Sequence, residues 1–136
     1  MSAVDERRRT SRHDLFWVVN QEDQQSLLGY LVDLSESGMR VWLKLNYQAK
    51  ESNFTVCLLP PNKLELPHFV IDVRKVWLGK DETDTFDEIG CEFVGLNVEQ
   101  KKSLAKMLSF FQEDKEHFFD HMSEMIQFVE EDLKNG

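Results

Sequence analysis

From residue 15 onward the chain alternates short apolar runs with turn chemistry at steady intervals, the pattern of a small antiparallel barrel or sandwich. The first run is Leu15, Phe16, Trp17, Val18 and Val19, stopped by the polar stretch 20–25. A second run covers 27–32 and gives way to Asp33, Leu34, Ser35, Glu36, Ser37 and Gly38. The third, 39–43, alternates: Met39, Val41 and Leu43 share one face, Arg40 and Trp42 the other. Residues 54–59 predict a fourth strand, closed by Pro60 and Pro61, which remove ladder donors.

A fifth strand is expected over about 68–78, with Phe69, Ile71 and Val73 on one face and Asp72 and Arg74 on the other. Parity then fails, because Val76 falls on the face of Asp72 and Arg74. A bulge near Arg74 and Lys75 would repair the alternation and turn Trp77 outward. The sixth strand, 86–94, points Ile89, Cys91 and Phe93 inward and shows Glu88, Gly90 and Glu92 on its other side.

At Asn97 the period changes. Asn97, Val98, Glu99 and Gln100 fit a capping box, and Leu104, Met107, Leu108 and Phe111 follow at helical spacing. Asp114 is a candidate cap for a second helix whose stripe is Phe118, Met122, Met125, Ile126, Val129 and Leu133. Residues 1–12 carry no apolar periodicity and read as a flexible arm. The expectation is mainly β: a six-stranded antiparallel barrel followed by one or two C-terminal helices. It divides into an arm (1–12), a barrel with capping helix (13–112) and an acidic amphipathic tail (113–136).

Composition sharpens this outline. The 136 residues are 41% hydrophobic and 30% charged, enough for one domain with a core. The longest apolar run is five residues, too short for a membrane span or an export signal, so the chain is expected in the cytoplasm with Cys57 and Cys91 reduced. Net charge is −9 and uneven: residues 113–136 hold eight acids and two bases, while residues 7–12 hold four arginines and no acid. An acidic chain with one short basic arm lacks the broad cationic face of a DNA or RNA binder, yet suits a compact polyanion.

Two segments carry candidate chemistry. Arg7, Arg8, Arg9 and Arg12 crowd like charges that repel at close range, an arrangement that an anion relieves. Guanidinium forks match phosphate oxygens and the O6/N7 edge of guanine. The plain reading is a solvated basic tail. The segment 33–38 is ordinary turn chemistry, and its plain reading is a hairpin. The same atoms suit a purine: a carboxylate accepts from guanine N1 and N2, and glycine admits a ligand against the backbone.

Taken in order, the two segments resemble the PilZ domain family, whose signature is RxxxR followed some way on by [D/N]xSxxG. Arg8 and Arg12 fit the first motif in a single register; Asp33, Ser35 and Gly38 fill the second. Ile89, Gly90, Cys91, Glu92 and Phe93 look like the family's late strand. The resemblance covers about residues 6–112 and leaves the acidic tail outside. It implies a six-stranded barrel that binds cyclic di-GMP, with Arg8 and Arg12 on phosphate and guanine edges, Asp33 and Ser35 on guanine, and Gly38 giving close approach. Arg9 falls where the family is often basic. Arg7, directly ahead of RxxxR, implies two stacked ligands in place of one.

Weaker candidates complete the set. Arg74 and Trp77, if the bulge turns them outward, join the ligand site, as does Gly90. His13 flanks the arm. Trp17 and Trp42 read as packing residues. His117 and His121 sit four apart beside Glu113, Asp120 and Glu124, without cysteine or a third histidine near, and no metal site is expected. No Ser/His/Asp set, phosphate loop or paired carboxylates appears, so no enzyme and no cofactor are expected. The apolar stripe of the tail would pack on the barrel, pair with a second copy as a homodimer, or dock an unidentified protein target. The rival to a nucleotide receptor is a PilZ-like adaptor that binds proteins and no nucleotide.

Overall fold

The computed structural model describes residues 17–22, 26–44, 51–61, 64–80 and 86–120, with side chains through residue 113. Six strands, β1 (Val18–Gln21), β2 (Leu27–Leu34), β3 (Gly38–Leu43), β4 (Asn53–Leu59), β5 (Phe69–Lys80) and β6 (Asp87–Phe93), precede one helix, α1 (Val98–Asp120). They form a closed antiparallel barrel in the order β1-β2-β3-β6-β5-β4. β1 closes the ring by pairing β2 on one side and β4 on the other, with Val18 opposite both Tyr30 and Leu59.

The alternation seen in the sequence decides what lines the interior. Val19, Val41, Val56, Leu58, Ile71, Val73 and Ile89 are fully or nearly fully buried there. Their neighbours face outward, and part of that outer wall is itself apolar. Val18, Tyr30, Trp42, Cys57, Leu59 and Phe86 form a second buried cluster. Trp42 stacks on Phe86 with centroids 4.4 Å apart, and its Nε1 donates to Glu88 Oε1 at 3.1 Å. That bond, and the Arg40 guanidinium 3.7 Å from Oε2, satisfy a carboxylate that burial would otherwise penalise.

Helix α1 covers one mouth of the barrel. Leu104, Met107 and Phe111 enter the core, and Phe111 meets Trp17 edge-on at 5.4 Å. The capping box forms as expected: Asn97 N donates to Gln100 Oε1 at 3.0 Å, and Gln100 N to Asn97 Oδ1 at 2.8 Å. Gln100 Nε2 also donates to the Val70 carbonyl of β5, so one side chain both starts the helix and ties it to the wall. Among the described residues no helix is long and apolar enough to cross a membrane.

Three expectations need correction. β2 does not stop at residue 32. An irregularity between Leu31 and Asp33 absorbs Val32, so Asp33 and Leu34 remain in the strand and only 35–37 form the turn. No second helix begins at Asp114, because α1 runs through that position without a break to Asp120. Finally, β1 starts later and ends later than the apolar run, because Asn20 and Gln21 still pair with Cys57 and Val56 of β4. The stripe from Met122 onward lies outside the described residues.

Replacing Asn97 by alanine removes one half of the reciprocal cap. Urea denaturation should show a loss of about 1 kcal/mol; a change within a few tenths would mean the cap contributes nothing.

Candidate functional site

β5 is too long to stay in phase. Lys75 lies opposite Cys91 and Trp77 opposite Gly90, so Val76 is the extra residue. The bulge sits one to two residues later than the sequence suggests, with the expected effect: Trp77 turns to the outer face and is 39% exposed. Its indole lies across β6 at Gly90. A Cβ there would stand 2.2 Å from Trp77 Nε1, so only glycine leaves the ring this seat.

The second wall is the end of β2 and the turn after it. Ser35 N donates to Gly38 O at 2.9 Å, and Ser35 Oγ accepts from Gly38 N at 3.2 Å and Ser37 N at 3.3 Å. The Ser35 hydroxyl is thus the pin of the turn. Gly38 is required by the neighbouring strand, since a Cβ would sit 2.1 Å from the Cys91 carbonyl oxygen. Asp33 stands at the end of β2 opposite Arg40, whose Nε lies 3.5 Å from Asp33 Oδ2.

These walls enclose an open groove of about 280 Å³. It is lined by Asp33, Ser35, Ser37, Gly38, Met39, Arg40, Val76, Trp77, Gly90, Cys91 and Glu92. Five residues singled out from the sequence (Asp33, Ser35, Gly38, Trp77 and Gly90) therefore meet in one place, although they come from four strands and a turn. Arg74 stands beside them, its guanidinium paired with the carboxylate of Glu92. Arg7, Arg8, Arg9, Arg12 and His13 lie outside the described residues.

Arg40 and Glu92 were not singled out from the sequence. Both follow from parity: Arg40 lies two positions after Gly38, and Glu92 two after Gly90, hence on the same outer face. The groove carries two carboxylates, Asp33 and Glu92, against one guanidinium, Arg40. An anion placed here needs cations from elsewhere in the chain. The Cys91 thiol, packed in the barrel core behind the groove, is pushed up to about 12 by burial, opposed by the nearby Lys75 ammonium. Among the described residues no group of three or more His, Cys, Asp or Glu could hold a metal ion.

The chain thus combines a closed six-stranded antiparallel barrel with a polar groove between a DxSxxG turn and the tryptophan of β5. The chain belongs to the PilZ domain family, whose profile matches residues 6–110. Among solved structures it is similar to the PilZ domain of YcgR from Escherichia coli with c-di-GMP. The TM-score is 0.58 at 16% identity, covering 80% of this chain and 90% of that one. It is also similar to the Bacillus subtilis inhibitor of motility MotI/DgrA, with a TM-score of 0.60 at 12% identity over 75% of this chain. The match spans about half of the MotI/DgrA chain, 49%. At these identities the likeness is one of fold. No curated protein sequence matches this one.

Gly90→Ala should unseat the indole. The Trp77 contribution to fluorescence, isolated by comparison with Trp77→Phe, should shift to the red while the fold persists; an unmoved emission would mean the ring does not rest on Gly90. The Cys91 thiol has a second consequence. Its folded value lies above its ordinary 9.0, so its share of stability is complete below that pH and is lost as pH climbs towards 12. Melting temperature should therefore fall more steeply above pH 9.0 in the native sequence than in Cys91→Ala.

Proposed function

We propose that this chain is a non-enzymatic receptor for cyclic di-GMP, held between its N-terminal arginines and the groove at Asp33 and Trp77. The observation that carries this reading is the meeting of Asp33, Ser35, Gly38, Trp77 and Gly90 in one groove. Family membership, and the nucleotide present in the YcgR domain, support it.

The division of labour follows from the groove's charges. The nucleotide brings two phosphates and two guanines. Asp33 offers a carboxylate to the N1 and N2 hydrogens of a guanine. Trp77 offers an exposed ring face, and base stacking on such a ring contributes about 1–3 kcal/mol per base. Ser35 and Gly38 hold the shape of the turn. Neither Asp33 nor Glu92 attracts a phosphate, so Arg8 and Arg12, with Arg7 and Arg9, supply the positive charge. Arg12 precedes Trp17 by five positions, and an extended chain covers up to about 3.6 Å per residue. The Trp17 carbonyl accepts from Leu31 N at 2.9 Å, two positions from Asp33 in sequence.

In this reading the chain works as an arm (1–12), a barrel with its helix (13–112) and an acidic tail (113–136), in the cytoplasm. Closing the arm over the ligand changes which outer face a protein target meets. Arg7 raises the cation count to four, matching the four phosphate charges of two stacked ligands.

Isothermal titration with cyclic di-GMP tests this directly. Saturable binding is expected, with two ligands per chain and steep weakening by salt. Arg8→Ala, Arg12→Ala and Asp33→Ala should each lower affinity by about tenfold or more, ~1.4 kcal/mol. One ligand per chain would remove the stacked pair. No heat and no thermal shift at millimolar nucleotide would overturn the receptor and leave the adaptor.

A further inference from the structure

Cross-strand register places four residues in one row on the outside of the barrel. Asp33 of β2 lies opposite Arg40 of β3, Arg40 opposite Gly90 of β6, and Gly90 opposite Trp77 of β5. Residues directly opposite share a face, and all four line the groove. Gly90 contributes no side chain and the indole rests on it, so the next side chain after Arg40 along the row is Trp77.

Arg40 is steadied in this row by two carboxylates. Its Nε lies 3.5 Å from Asp33 Oδ2 and its Nη1 3.7 Å from Glu88 Oε2. Glu88 is buried and receives the Trp42 Nε1 hydrogen on its other oxygen, while Trp42 stacks on Phe86. A fixed, buried partner thus orients a side chain that is otherwise rich in rotamers. A guanidinium carries five N–H donors, more than two such pairs use, and the Arg40 side chain is 42% exposed. The carboxylate of Asp33 likewise has more acceptor sites than one guanidinium takes. The row therefore presents a donor beside an acceptor, next to an exposed indole.

This order of donor and acceptor matches the edge of one purine and opposes that of the other. Guanine carries the O6 acceptor beside its N1 and N2 hydrogens; adenine carries the N6 hydrogens beside the N1 acceptor. We infer that Arg40 is the base-selecting residue of the groove: its guanidinium donates to O6 of the guanine whose N1 and N2 hydrogens Asp33 accepts. Adenine in the same seat would bring N–H against guanidinium and a lone pair against carboxylate, and both polar contacts would be lost. Arg40 has this role only if the groove holds cyclic di-GMP as proposed above, and it lies outside both the RxxxR and the DxSxxG motif.

Calorimetric titration of the full chain with cyclic di-GMP, cyclic di-AMP and cyclic di-IMP separates the two contacts, because hypoxanthine keeps O6 and the N1 hydrogen but lacks N2. The native chain should prefer guanine to adenine by about a hundredfold or more, and guanine to hypoxanthine by a smaller factor. Arg40→Ala should weaken cyclic di-GMP and cyclic di-IMP alike, by about tenfold each, leaving their ratio unchanged. The preference over cyclic di-AMP should fall by about tenfold or more in the same variant. Asp33→Ala should instead erase the preference for guanine over hypoxanthine. The double variant Arg40→Ala with Glu88→Gln, which leaves no buried carboxylate without its cation, guards against loss of fold and should match the single one. If Arg40→Ala erases the guanine-over-hypoxanthine preference, Arg40 only positions Asp33 and the assignment is overturned. Binding by the variants with an unchanged preference for guanine over adenine overturns it too, and leaves the receptor standing. Absence of binding by the native chain overturns both.

Discussion

The architecture of the groove depends on how closely three strands approach, and two positions without side chains permit it. At Gly38 the backbone of β3 passes the Cys91 carbonyl so tightly that a methyl would sit 2.1 Å from the oxygen. At Gly90 the same strand β6 accepts the Trp77 ring on its outer face. Any larger residue at either place separates β3 from β6, or Trp77 from β6, and the groove loses a wall. Strand β6, paired with β5 along its whole length and with β3 from Glu88 to Glu92, is the floor against which the turn and the indole are set.

Two irregularities aim the functional side chains. The one that absorbs Val32 keeps Asp33 within the ladder, opposite Arg40. The one at Val76 turns Trp77 outward. Bulges re-aim a side chain without ending a strand, and here both act on the same outer wall. Arg40 joins the consequences: it lies within 3.5 Å of Asp33 on one side and 3.7 Å of the buried Glu88 on the other. Glu88 in turn receives the Trp42 indole N–H. A line of polar contacts therefore connects the groove to the aromatic cluster on the outside of the barrel.

Electrostatics divides the labour between barrel and arm. The groove alone holds more carboxylate than guanidinium, so in the proposed receptor it takes the hydrogen-bond donors of a guanine edge and offers little to phosphate. The four arginines ahead of β1 have the opposite character. A ligand with both kinds of group is satisfied only when the two parts of the chain act together, which makes binding and closure one event in the proposed receptor.

Much of this was legible from residue order. Strand count, the inward faces of β3, β5 and β6, the reciprocal cap of Asn97 and Gln100, and a bulge ahead of Trp77 all follow from local periodicity and local hydrogen-bonding chemistry. Local pattern also marked Asp33, Ser35 and Gly38. It did not show that Asp33 is a strand residue, that the Ser35 hydroxyl is spent on its own turn, or that Gly38 answers to a neighbouring strand. Nor did it find Arg40 and Glu92 as groove residues, the unbroken passage of α1 through Asp114, or how far β5 runs past its pairing with β4. Each of these depends on which strand lies beside which, and on where a partner strand stops. Alternation along one segment is a property of that segment alone; register and close approach are properties of two segments at once, and only the closed barrel brings those together.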